Sequence, residues 1–196
     1  MPEDTQLSDS DGVFLVKTAR MAVTEFLSTG KKMKLESERE KKFSFNSGVF
    51  VTLNNADGLR GCIGFPMPDK KLSHGIIDAA IAAATEDPRF SPVKTDELSD
   101  IVFEVTVLTP PVEIIVTDPM EYLEKIKIGR DGLIIRNSFS SGLLLPQVPV
   151  EYGWNVEEFL QHTCEKAGLE KDTWKNEKVK IEKFEGIVYK EEANGN

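Results

Sequence analysis

Two segments of alternating apolar residues, each folded back through a turn and followed by a helical pattern, restrict what this chain can become. Val49, Val51 and Leu53 share one face of a strand, with Phe50 and Thr52 on the other. Asn54-Asn55-Ala56-Asp57-Gly58 carries turn chemistry, and Leu59 to Phe65 returns as a second strand. Leu72, Ile76, Ala80, Ile81 and Ala84 then recur at helical spacing within Leu72 to Thr85. Pro88 and Pro92 brace the loop after this helix, and Ile101 to Leu108 reads as the next strand.

The order recurs downstream. Leu133 to Arg136 and Gly142 to Leu145 form a second hairpin, and Asn155 caps a helix through Ala167, with Glu158 at N3 and Gly168 closing it. Val179 to Phe184 alternates as the last strand. Gly48 and Gly58 are ten residues apart, as are Gly132 and Gly142, which suggests an internal repeat. The expected class is α+β, with two related subdomains built from hairpin–helix–strand units and mixed, mostly antiparallel sheets flanked by helices. Residues 1–196 read as one domain with halves at roughly 12–117 and 118–190.

The intervening segments are less constrained. Asp11 to Thr29 reads as an amphipathic helix stopped by Gly30. Lys31 to Lys42 holds six basic and three acidic residues, which suits a solvated linker or a basic docking patch. Val112 to Val116 reads as a short strand after Pro110-Pro111, and Asp118-Pro119-Met120-Glu121 starts a helix. Glu191 to Asn196 is expected to fray.

Composition narrows the classes of function. A chain of 196 residues can bury a core without metal or disulfide staples. No apolar run of about eighteen residues is present, and Met1 to Asp11 is acidic and polar, unlike a signal peptide. The expectation is a cytoplasmic protein with Cys62 and Cys164 reduced. The net charge of −9 disfavours non-specific nucleic-acid binding. No zinc pattern occurs; His162 and Cys164, two apart on a helix, diverge. Gly61-x-x-Gly64 lies within a strand, so no nucleotide cofactor is indicated, and the cofactor is left open.

Strand alternation puts Arg60, Cys62 and Gly64 on one face and Leu59, Gly61 and Ile63 on the other. A guanidinium beside a thiol favours the thiolate, which makes Cys62 a candidate nucleophile. His162, in the second half, is the candidate base, and Glu104, interrupting an apolar strand, the candidate orienter. Gly61 and Gly64 permit close approach of a ligand or of backbone, and Arg89 offers a cation for an anion or for a salt bridge. Gln147 and Glu151, after the second hairpin, are candidates for reading a polar ligand. Arg60 and Cys62 are expected to line a cleft between the halves.

Leu59-Arg60-Gly61-Cys62-Ile63-Gly64 resembles the signature of the AMMECR family, named for the Alport-syndrome, midface-hypoplasia and elliptocytosis chromosomal region. Asp87-Pro88-Arg89-Phe90, Val107-Leu108-Thr109, Leu144-Leu145-Pro146-Gln147-Val148, Trp154 and Lys166-Ala167-Gly168-Leu169 follow in family order, and the likeness runs from about Gly12 to Phe184. Pro149 departs from the small residue more usual in the family. The resemblance implies a two-subdomain α+β fold and leaves the activity open. It also implies association with Memo-like proteins or radical S-adenosylmethionine enzymes. The functional expectation is a binding or adaptor module with a ligand cleft at the hexapeptide. The alternatives are an enzyme using Cys62 on a small polar substrate and a nucleic-acid-associated regulatory factor.

Overall fold

The computed structural model describes residues 7–35, 37–176 and 179–192. It is a mixed α and β fold whose paired strands are antiparallel, with helices against the sheets. The chain divides into a unit of Met1–Leu108 with Ile187–Asn196, and a unit of Thr109–Gly186. The expected halves, 12–117 and 118–190, differ from these at two places: Thr109 to Thr117 falls in the second unit, and the chain from Ile187 returns to the first. Met1 to Gln6 and Ala193 to Asn196 lie outside the described residues, and with them part of the expectations for the N-terminus and for C-terminal fraying.

The first unit begins with α1 (Asp9–Thr29). Ser8 and Asp11 form a capping box that satisfies orphan N–H groups, worth about 1 kcal/mol. Gly30, at φ 68°, ends the helix by donating its N–H to the Phe26 carbonyl. The expected linker at Lys31 to Lys42 instead contains α2 (Ser37–Lys42). The strands β1 (Val49–Asn55) and β2 (Gly58–Phe65) form the predicted hairpin, followed by α3 (Leu72–Thr85) and β3 (Val102–Leu108).

β1 is central, with β2 and β3 on its two sides. Val49, Val51, Leu53, Phe103, Val105 and Val107 are buried with α1 and α3 in one core. That burial is why α3 is apolar over most of its circumference, including Ala79 to Ala84.

The second unit holds β4 (Val112–Glu113), α4 (Tyr122–Lys125), β5 (Asp131–Arg136), β6 (Ser141–Leu144), α5 (Gln147–Tyr152), α6 (Val156–Lys166) and most of β7 (Lys180–Lys190). β5 pairs with β6 and β7, and β4 pairs with β7. The strand expected over Val112 to Val116 stops at Glu113, and the helix expected from Asp118 becomes a single 3-10 turn running into α4. Leu133, Ile135, Phe159, Leu160 and Trp174 centre the core of this unit. Asp131 is fully buried; burial alone would raise its pKa, but Arg130 and the Lys127 N–H outweigh it and hold the carboxyl low.

Glu191, expected to fray, is tied into the first unit. Its carboxylate accepts from Arg20 Nε and Nη2, both at 2.6 Å, and its N–H donates to the Phe103 carbonyl. Among the described residues, no helix is long and apolar enough to cross a membrane.

Candidate functional site

Within its unit β2 is an edge strand, and an unpaired edge has to be covered or blunted. The loop after α3 covers it. Asp87 Oδ2 accepts the Cys62 N–H at 2.8 Å, and Arg89 Nη2 donates to the Cys62 carbonyl at 3.3 Å. Asp87 and Arg89 are themselves joined through Arg89 Nη2 at 2.7 Å and Nε at 3.0 Å. A carboxylate and a guanidinium thus stand where the next strand's backbone would.

Arg60 leaves the pattern that alternation predicts. The register steps from Leu53 opposite Gly61 to Asn54 opposite Leu59, so Arg60 has no partner on β1. Such a bulge re-aims its side chain. The Arg60 guanidinium meets Glu97 through Nε at 2.8 Å and Nη2 at 3.1 Å, and donates from Nη1 to the Ser91 carbonyl at 2.9 Å. The cation expected beside the thiol is therefore committed to the loop.

Both motif glycines are forced by packing. A Cβ at Gly61 would drive into the Ala83 carbonyl of α3, and one at Gly64 into the Phe50 ring. Close approach of sheet to helix, rather than of a ligand, accounts for Gly61.

Cys62 stays partly exposed on the face turned away from α1 and α3. It lies opposite Thr52, which in turn lies opposite Glu104, so the three form one row across β2, β1 and β3. Thr52 Oγ1 lies 3.3 Å from Cys62 Sγ and donates to it. Phe50 and Thr106 occupy the neighbouring row on that face.

The remaining candidates belong to the second unit. His162 on α6 has Nδ1 at 2.7 Å from Glu165 Oε2, and its ring stacks on Trp154 at 3.9 Å. Tyr152 also stacks on Trp154, at 4.9 Å. Gln147 and Glu151, which follow the second hairpin as expected, sit on the short helix α5. Arg60, Cys62, Arg89 and Glu104 are thus gathered in one unit, and His162, Gln147 and Glu151 in the other.

Charges follow these contacts. The Arg89 guanidinium, aided by the Cys62 and Arg89 N–H groups, holds the Asp87 carboxyl well below the usual carboxylate range despite burial. Arg60 lowers Glu97 in the same direction. Burial pushes the Cys164 thiol up to about 11, so that cysteine is a packed apolar group. Among the described residues, no group of three His, Cys, Asp or Glu side chains is placed to hold a metal ion.

Sequence reading missed Thr52 and Glu97. Thr52 looks like an ordinary outward strand residue, and only the register reveals it between Cys62 and Glu104. Glu97 lies 37 residues from Arg60, a pairing that no local pattern signals.

A family model described as AMMECR1 matches residues 16–189. Protein MJ0810 of Methanocaldococcus jannaschii is 53% identical, covering 94% of this chain and 92% of that protein. Protein PYRAB00100 of Pyrococcus abyssi is 49% identical over 95% of this chain and 93% of its own length. The crystal structure of uncharacterized protein PH0010 from Pyrococcus horikoshii superposes with a TM-score of 0.78 at 49% identity, covering 95% of this chain and 94% of that one.

Proposed function

This chain belongs to the AMMECR1 family, and we propose that it works as a cytoplasmic binding or adaptor module whose contact surface is the Cys62, Thr52 and Glu104 row. The observation behind this reading is that row itself. A thiol, a hydroxyl and a carboxylate stand side by side on a sheet face turned from the helices, while Arg60 is committed to Glu97 and Gly61 and Gly64 to close packing. Three adjacent groups of different polarity suit a small polar ligand or a polar segment of a protein partner. Members of a Memo-like or radical S-adenosylmethionine pathway are the partners this reading favours. The shared pairing order, β2-β1-β3 and β6-β5-β7, supports treating the two hairpin–helix–strand segments as related copies.

Thiol footprinting tests the proposal. Cys62 is labelled with iodoacetamide in the presence of size-fractionated host extract, with buried Cys164 as the internal control. A fraction that slows Cys62 labelling, with the protection lost in Glu104→Ala, supports the surface. If no fraction protects Cys62, the reading fails.

An enzymatic reading draws support from the Thr52 hydroxyl, which donates to Sγ at 3.3 Å and orients the thiol on the partly exposed face. Cys62 would then be the nucleophile, with Glu104 in its row. This reading expects Thr52→Val to slow Cys62 alkylation severalfold, whereas the binding reading expects little change.

A further inference from the structure

One strand edge of this protein is closed and another is open. Asp87 and Arg89 close the edge of β2 at Cys62. β6 has β5 on one side and, among the described residues, no strand on the other. An open edge is normally blunted by charged side chains or by proline. From Asn137 to Val150 the sequence carries no charged residue, and its first proline there, Pro146, comes after the strand has ended.

The turn fixes which main-chain groups face the open side. Asn137 N–H donates to the Ser140 carbonyl at 3.0 Å, so these residues form a bonded pair in step with Arg136 opposite Ser141. Bonded and non-bonded pairs alternate along an antiparallel ladder. Gly142 and Leu144 therefore bond to Ile135 and Leu133, whereas Ser141 and Leu143 turn their N–H and carbonyl groups outward. Those four groups take no hydrogen bond from any other described residue. Phe139, 97% exposed, stands at the tip of the same hairpin. Its turn is ordered by Asn137 Oδ1, which accepts the Phe139 and Ser140 N–H groups, each at 2.8 Å.

We propose that β6 pairs with β6 of a second copy of this chain, antiparallel about a two-fold axis at Gly142. In that register Ser141 of each copy exchanges both bonds with Leu143 of the other, so all four outward groups of each strand are met. The strand is its own complement, which is why a second copy is the occupant. Gly142 faces its counterpart where two strands come closest. Its other neighbour is the Ala167 backbone, with Gly168 next, so the end of α6 brings only small residues to the axis. Phe139 falls opposite the partly exposed Leu145 of the other copy. Each copy carries a net charge of −9, and this uncharged segment lets the two approach without placing like charges in contact. A strand of four residues makes a small interface, so the association is weak.

The test combines sedimentation equilibrium of the full chain, up to about 1 mM, with amide hydrogen exchange. The expected mass rises from 21.9 kDa towards twice that value, with a dissociation constant of about 0.1 mM. Exchange at Ser141 and Leu143 should slow as concentration rises, while Gly142, already bonded to Ile135, stays unchanged. Ser141→Pro removes an outward N–H and leaves the ladder with β5 intact. Symmetry removes two bonds at once, so the dimer should weaken about tenfold. Ser141→Lys, which charges the edge and keeps the N–H, should weaken it as well, and an unchanged thermal midpoint reports that the fold survives. A chain that stays monomeric to about 1 mM, or a dimer that both variants leave unchanged, overturns the proposal. So does protection of Ser141 and Leu143 by a protein of the host extract while the chain itself remains monomeric.

Discussion

The Asp87 carboxylate accepts the backbone N–H of Cys62 at 2.8 Å, although the two residues are 25 apart in the chain. This contact makes the Asp87-Pro88-Arg89 segment part of the same assembly as the hexapeptide. One segment supplies an exposed edge, and the other supplies the side chains that close it.

Asp87→Ala removes an acceptor shared by Cys62 and Arg89 and leaves the Cys62 N–H unpaired. We expect a loss of about 2 kcal/mol in urea unfolding. The pH dependence has a definite sign. Asp87 is depressed below its ordinary 3.8, so the stability it confers is present above that value and drains as pH falls below it. The variant should therefore lose less stability than the parent on acidification below about pH 4.

Gly61→Ala should cost about 1–3 kcal/mol, because its Cβ meets the Ala83 carbonyl and α3 has to move off the sheet. Thermal unfolding followed by circular dichroism would read this loss. An unchanged midpoint would mean that the helix–strand contact is looser than described.

Native alkylation should modify Cys62 and spare Cys164 until the chain unfolds. Cys62 is partly exposed, whereas Cys164 is fully buried with its thiol pushed up to about 11. Peptide mass spectrometry after brief iodoacetamide treatment distinguishes the two sites.

A double-mutant cycle between Arg60→Met and Glu97→Ala should give a coupling of about 1 kcal/mol, modest because Glu97 is a third exposed. A coupling near zero would detach Arg60 from the loop and reopen its assignment to the thiol.

Periodicity made the hairpins, α3 and α6 legible, since each buries one stripe or face against a sheet. Turn chemistry placed Gly30 and the Asn155 cap for the same local reason. The bulge at Arg60 was hidden, because one unpaired residue leaves no mark in the alternation that precedes and follows it. The Cys62, Thr52 and Glu104 row needed the pairing of three strands, a relationship between distant segments that spacing along one strand cannot express. Glu191 looked like tail, and its pairing with Arg20 depends on a strand that extends six residues beyond the predicted end at Phe184.

The return of β7 to the first unit has a consequence for synthesis. A ribosome delivers Arg20 far ahead of Glu191, 171 positions later, so α1 leaves the exit tunnel long before the carboxylate that anchors it exists. The unit begun first is completed last. A C-terminal deletion reaching Glu191 would therefore injure the amino-terminal half of the protein, and a nascent chain stalled near Gly186 would hold all of the second unit while the first still waits for its closing residues.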